Sequence, residues 1–129
     1  MVKVLVSKQS SFGLDTAKLK KALSDFFVQK GIVSKAEVEV AIVGEKPMFN
    51  LAKTYLGEKN TLHNVLSFTP EETQGRFINP PDGIIHLGEI VICYPKVQEE
   101  AGLEGVMIDE KIIELACHGA EHLMGIHHK

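Results

Sequence analysis

Four of the six histidines fall in one short run, His118-Gly119-Ala120-Glu121-His122-Leu123-Met124-Gly125-Ile126-His127-His128. Residues four apart on a helix share a face, so the His118 and His122 imidazoles can reach for one ion. Gly125 permits a left-handed turn, which can bring the chain back and return His128 as a third nitrogen. Three neutral imidazoles around one zinc ion leave a fourth position for water, the arrangement of a catalytic site. His127 competes with His128 for the third place, and the spacing favours His128. The plain alternative is a solvated histidine-rich segment or the remnant of an affinity tag. A tag is a homogeneous run, whereas His-x3-His-x2-Gly-x2-His is not.

The same spacing occurs in metzincin peptidases, H-E-x-x-H-x-x-G-x-x-H, with one chemical difference. The glutamate that activates water in those enzymes is Gly119 here. Glu121 does not replace it, because it projects from the opposite flank of the helical face. Peptide hydrolysis therefore loses its general base. Glu114, one turn before His118, is either a carboxylate that orients that ligand or a solvated helix residue. His63 is either a packed strand residue or a cleft residue that donates a proton or contacts substrate, since histidine titrates near neutrality.

The elements that must position these groups can be read from periodicity. Val2–Val6 alternates as a strand, and Asp15 to Lys30 carries Leu19, Leu23, Phe26 and Phe27 at helical spacing before Gly31. Glu37–Val43 alternates again. Pro47 suits the first turn of a helix running to about Tyr55, with Gly57 beyond it. His63–Phe68 and the Ile- and Val-rich Ile84–Cys93 are further strands. They are separated by a polar, proline-containing stretch, Thr69 to Gly83, read as an exposed loop. Pro95 to Ala101 is a short helix, and Ile108 to Met124 is a last one that ends at Gly125. The expectation is a single α/β domain over 1–129. A mixed sheet of about four strands packs with four to five helices, and the third and fourth strands can pair as a long-looped hairpin.

Composition narrows the function classes. A chain of 129 residues fits one domain, and its 44% hydrophobic and 24% charged content is that of a soluble globular protein. No apolar run is long enough to cross a bilayer, and the N-terminal stretch alternates rather than forming a signal-peptide core, so cytoplasmic residence is expected. Cys93 and Cys117 sit apart in apolar runs and read as structural thiols. The formal net charge of −3 gives no overall basic field, so an RNA partner would need positive potential from a local cleft.

The run His118-Gly119-x-x-His122-Leu123-x-Gly125-x-x-His128 closely resembles the zinc motif of the YbeY family of bacterial endoribonucleases and rRNA maturation factors, H-G-x-L-H-L-x-G-Y-D-H. Val65-Leu66-Ser67-Phe68 is similar to that family's T-D-V-L-S-F. Leu87-Gly88-Glu89-Ile90-Val91-Ile92 is similar to its L-G-D-I-V-I, and Asn50 and Tyr55 stand roughly where it has L-N-x-x-Y-R. The resemblance implies a YbeY-like α/β fold with one zinc ion on His118, His122 and His128. It also implies metal-dependent cleavage of single-stranded RNA, a role in maturing the 3′ end of 16S rRNA, and quality control of the small ribosomal subunit. Neither a membrane nor DNA is expected as a partner.

Several positions depart from the family pattern. The residue before the last histidine is His127 rather than Asp, Ile126 replaces Tyr, Glu121 replaces Leu, and His63-Asn64 replaces T-D. The family's basic residue after the tyrosine is Leu56, which removes a guanidinium that would grip a phosphate. Lys53, three residues earlier on the same predicted helix, is a candidate for that contact, with a solvated surface lysine as the alternative. The departures leave two readings beside the nuclease: a zinc-binding ribosome-assembly factor that cuts RNA weakly or never, and a metallohydrolase of another class.

Overall fold

The computed structural model describes residues 2–73 and 83–125. Its elements follow the order β1 (Val2–Lys8), α1 (Thr16–Gln29), β2 (Ala36–Val43), α2 (Glu45–Leu56), β3 (Val65–Phe68), β4 (Ile85–Cys93), α3 (Tyr94–Glu104) and α4 (Ile108–Leu123). The four strands form one sheet in the order β1-β2-β4-β3. β1 pairs parallel with β2, β2 parallel with β4, and β3 lies antiparallel on the outer side of β4. The expected mixed four-stranded sheet and the β3–β4 hairpin are both present.

Strand alternation sorts side chains to two faces. Val2, Val4, Val38, Val40, Ile42, Ile90 and Ile92 point to one face, where Leu19, Leu23 and Phe27 of α1 and Ile112, Leu115, Ala116 and Ala120 of α4 close the main core. On the other face α2 covers a smaller cluster of Met48, Phe68, Val91 and Cys93. α1 begins at Asp15, whose carboxylate caps the Lys18 N–H at 3.1 Å. α2 ends at Gly57 with φ 69°, a left-handed residue whose N–H returns to the Ala52 carbonyl. Lys111 is buried on α4, and its ammonium is held by Glu104 at 2.9 Å and Glu114 at 3.3 Å.

Several boundaries differ from the sequence reading, two of them for clear local reasons. β3 starts at Val65 rather than His63, because its ladder partner runs out: Cys93 N–H donates to Asn64 O, and the chain then turns into α3 at Tyr94. α3 runs to Glu104, past Ala101, until the left-handed Gly105 stops it at φ 72°. Of the long connection between β3 and β4, Thr69 to Thr73 forms a turn, while 74–82 lie outside the described residues.

Candidate metal and RNA site

α4 carries the histidines because its other faces are committed. Ile112, Leu115, Ala116, Gly119 and Ala120 are buried, which leaves His118 and His122 on the outer side, one helical turn apart. Their side chains are 65% and 41% exposed, so both rings are open to an incoming ion. Gly125 follows the helix at φ 76° and its N–H donates to the His122 carbonyl at 3.0 Å, the left-handed exit expected from the sequence. His127 and His128 lie outside the described residues, and so does the choice between them.

Gly119 acquires a physical explanation. A Cβ there would meet Ile90 Cγ2 at 3.1 Å and Ser67 Cβ at 3.4 Å, because α4 lies tight against β4 and β3. The position that carries a catalytic glutamate in metzincins thus faces the sheet, away from the imidazoles. Glu121 flanks His118 rather than His122, with Oε1 4.0 Å from His118 Nδ1. Glu114 is turned to Lys111 as an exposed helix carboxylate.

A carboxylate that the sequence reading passed over does reach the site. Glu72 Oε1 accepts a hydrogen bond from His122 Nε2 at 2.9 Å, across fifty positions of chain. It is held there by its own turn. Thr69 N–H donates to Glu72 Oε1 at 2.8 Å, and Glu72 N–H donates back to Thr69 Oγ1 at 3.3 Å. This reciprocal Thr-x-x-Glu pair is a capping box, and its four-residue spacing was the available signal. The Thr69 N–H holds the Glu72 carboxyl below its ordinary range, against the opposing effect of partial burial and with help from the His122 ring.

The donor chemistry suits a borderline cation such as zinc, with two imidazoles on successive turns and an oxygen ligand type beside one of them. Among the described residues no group of three or more His, Cys, Asp or Glu is assembled around one point.

Two clefts flank these elements. One, of about 550 Å³, is lined by Phe26, Asn64, Val65, Cys117, His118 and Glu121 among others. The second, of about 310 Å³, opens on the opposite face of the sheet between Glu37, Glu39, His86 and Glu89 and the aromatic pair Tyr55 and Phe68. Burial, and next the neighbouring Glu39, raises the Glu89 carboxyl above its usual range. Among the described residues neither lining includes a lysine or arginine. The sole arginine of the chain, Arg76, lies outside the described residues. Lys53 is exposed on α2, and His63 lies in the loop before β3, hydrogen-bonded to Glu58. Neither residue is part of either lining. Asn64, next to His63, instead ties β3 to α3 by donating to Glu100 Oε1 at 2.9 Å.

Comparison with known proteins meets this geometry. Residues 5–129 match the family described as endoribonuclease YbeY. The endoribonuclease YbeY of Thermus thermophilus is 31% identical over 129 residues, covering 100% of this chain and 87% of that protein. That of Xanthomonas campestris is 37% identical over 102 residues, or 78% of this chain and 60% of its own. The solution structure of TM1509 from Thermotoga maritima superposes with a TM-score of 0.57 at 23% identity, covering 100% of this chain and 75% of the other, a likeness of fold. The match runs from β1 through the histidines of α4, and with it the chain belongs to the YbeY family of endoribonucleases.

Proposed function

We propose that this protein is a zinc-dependent endoribonuclease of the cytoplasm that cuts single-stranded RNA. Its substrate is the 16S rRNA precursor, and its work is 3′-end maturation and quality control of the small ribosomal subunit. The observation that carries the reading is the exposure of His118 and His122 on one side of α4, with His118 on the wall of an open cleft, in a chain matched to this family along its length. His118, His122 and His128 would hold the ion. Bound zinc lowers the pKa of a coordinated water and polarises a phosphoryl oxygen. The chain's own contribution is positional. α4 fixes the two imidazoles by burying its opposite side, and the Phe26 and Val65 walls of the cleft bring apolar surface against which a base can lie.

Lys53 on α2 is assigned a phosphate contact in place of the family's basic residue, and His63 a substrate contact. Loss of either contact is expected to weaken RNA binding, and for Lys53→Ala to flatten its salt dependence. A normal cleavage rate in His63→Gln from pH 5 to 8 would remove His63 from the site.

One observation favours the second reading, a zinc-binding assembly factor with little nuclease activity. Among the described residues both clefts carry glutamates and no lysine or arginine, and Leu56 leaves the family's basic position empty of charge. RNA gains no attraction from those glutamates. The deciding experiment is cleavage of a labelled single-stranded RNA by zinc-loaded protein beside His122→Ala purified in parallel. Activity confined to the wild type supports the nuclease. Equal activity in both, or none in either, moves the function to assembly. Peptide hydrolysis is the least supported reading, since position 119 faces the sheet.

A further inference from the structure

The lining of the cleft that carries His118 has no lysine or arginine among the described residues, yet a cation stands beside it. Lys30 Nζ lies 5.5 Å from the centroid of the Phe26 ring, and Phe26 is a wall of that cleft. We infer that Lys30 and Phe26 bind one nucleotide step of the RNA, Lys30 taking a phosphate and Phe26 the adjoining base. The inference rests on the RNA reading above and adds to it the residues that hold the strand near His118. It does not depend on a bound ion.

The end of α1 builds the pair. Residues four apart share a helix face, so position 30 follows position 26 by one turn. The Lys30 N–H donates to the Phe26 and Phe27 carbonyls, both at 3.1 Å, and Gly31 at φ 104° then takes the chain away. The backbone is fixed while the lysine side chain stays exposed, and Phe26 packs against the main core and borders the cleft. Lys21 on the same helix has its charge engaged by Asp25 at 3.0 Å. Lys30 pairs with no carboxylate among the described residues, so its charge is available to an incoming anion.

Charge then sorts the two parts of a nucleotide. Glu121 lines the cleft beside His118 and repels a phosphate that no ion holds, whereas an uncharged base can lie against Phe26, Val65 and Leu115. Single-strand binding sites combine these parts, cations along the backbone and aromatic rings under the bases. In the free chain the ammonium rests on the ring. An exposed contact of that kind shifts an equilibrium only about two- to fivefold. A phosphate makes the stronger charge-assisted bond, so it draws Lys30 off and uncovers the ring for the base. The side of the sheet matters too. α1 and α4 pack on one face, and α2, which carries Lys53, covers the other. Lys30 therefore stands on the histidine side, separate from the contact assigned to Lys53.

The test is fluorescence anisotropy of a labelled single-stranded oligouridylate with the zinc-loaded full chain across a salt series, the RNA being checked for intactness on a gel. Lys30→Gln is set against Lys21→Gln, which removes the same charge. At about 3.6 residues per turn, Lys21 comes out on the opposite side of α1. The slope of log affinity against log salt should fall by about 0.7 in Lys30→Gln, the share of one phosphate on a single strand, and hold in Lys21→Gln. Lys30→Arg should restore it. Phe26→Leu should weaken binding about five- to hundredfold and leave the slope alone. An unchanged slope in Lys30→Gln, or the same change in both glutamine variants, overturns the inference while the RNA reading stands. Phe26→Leu binding as tightly as the wild type overturns it as well, because no base then lies on the ring. A wild type that fails to bind the RNA at low salt takes down the RNA reading, and this inference with it. Circular dichroism melts show whether each variant is folded at the assay temperature. A lysine that served only the C-terminal end of α1 would move the melt and not the salt slope.

Discussion

The two faces of the sheet are built from alternate residues of the same strands, yet they have been put to different uses. On the α1–α4 face the buried strand positions are apolar, from Val2 and Val4 through Val38, Val40 and Ile42 to Ile90 and Ile92. On the α2 face the neighbouring positions read Glu37, Glu39, His86 and Glu89 at one end, while Ala41, Val43, Val91 and Cys93 at the other reach the cluster around Met48. A period of two lets a strand separate stability from surface chemistry without any change in backbone. The closed face holds α4 in place, and α4 carries the histidines. The half-open face presents an acidic, aromatic-walled cleft.

The largest effect expected from this asymmetry is in the core. Phe27→Ala empties the middle of the closed face, where Phe27 is fully buried between α1 and the sheet. It should cost about 3–5 kcal/mol. Met48→Ala, on the half-open face, should fall nearer the bottom of the roughly 2–5 kcal/mol range for such a truncation, because a small cluster under one helix can collapse around the gap. Denaturant melts measure both. Equal losses would contradict the division into a main core and a satellite.

Next in size is Gly88, the hinge between the faces. The β2–β4 register slips between Glu37/His86 and Val38/Gly88, so Leu87 is the extra residue of a bulge and packs into the main core. Gly88 has φ 134°, and a Cβ would lie 2.3 Å from the Phe68 carbonyl oxygen and 2.8 Å from Leu123 Cδ2. Gly88→Ala should therefore cost roughly 1–3 kcal/mol from backbone strain alone, before any displacement of β3 or of the end of α4. A melt within error of the wild type would show that the bulge is not what sets the two faces apart.

Much of this was legible in the sequence, and the parts that were not share a cause. Alternation in Val2–Val6 and Glu37–Val43, and the Leu19-Leu23-Phe27 stripe, are local signals, so strands, helices and the closed core follow from them. The exit at Gly125 follows from chain geometry near the helix end. The contact of Glu72 with His122 depends on a turn after β3 meeting the last turn of α4, and no local pattern reports such a meeting. The end of β3 at Val65 was likewise decided by its partner strand. The sequence places His63 at the start of that strand, whereas the ladder with β4 begins only at Val65. Conversely, the sequence shows Gly119 as a departure from a peptidase pattern and a match to the YbeY motif without a physical reason, which the contact with Ile90 supplies.

On the half-open face, pH should separate Glu89 from the rest. Burial and Glu39 raise its carboxyl in the folded chain. A raised acid favours the protonated form on folding. Its contribution is therefore fully present below the unfolded value of about 4.3 and is lost as pH rises through the folded value. Near neutrality the ionised group opposes folding. Glu89→Gln should then raise Tm at pH 8 on the order of 2 °C and leave it unchanged near pH 3.5. The opposite slope, with the variant losing stability at pH 8, would mean that the cleft stabilises the carboxylate.

The smallest expected effect compares the two thiols, one on each side of the molecule. Cys93 is fully buried under α2, while Cys117 on α4 is half-buried beside His118 in the larger cleft. Burial pushes both thiols up, with Glu121 adding to the effect at Cys117. The thiolate is the nucleophile, so both should alkylate slowly at pH 7. Cys117 needs only deprotonation, and its rate should climb about tenfold per pH unit up to its pKa, as the thiolate fraction does. Cys93 needs the α2 face to open first, so its rate should follow local unfolding and rise with mild urea. Mass spectrometry of iodoacetamide-treated protein resolves the two sites. Cys93 reacting as fast as Cys117 without denaturant would mean that α2 leaves the sheet often, and that the half-open face is open further than its packing implies.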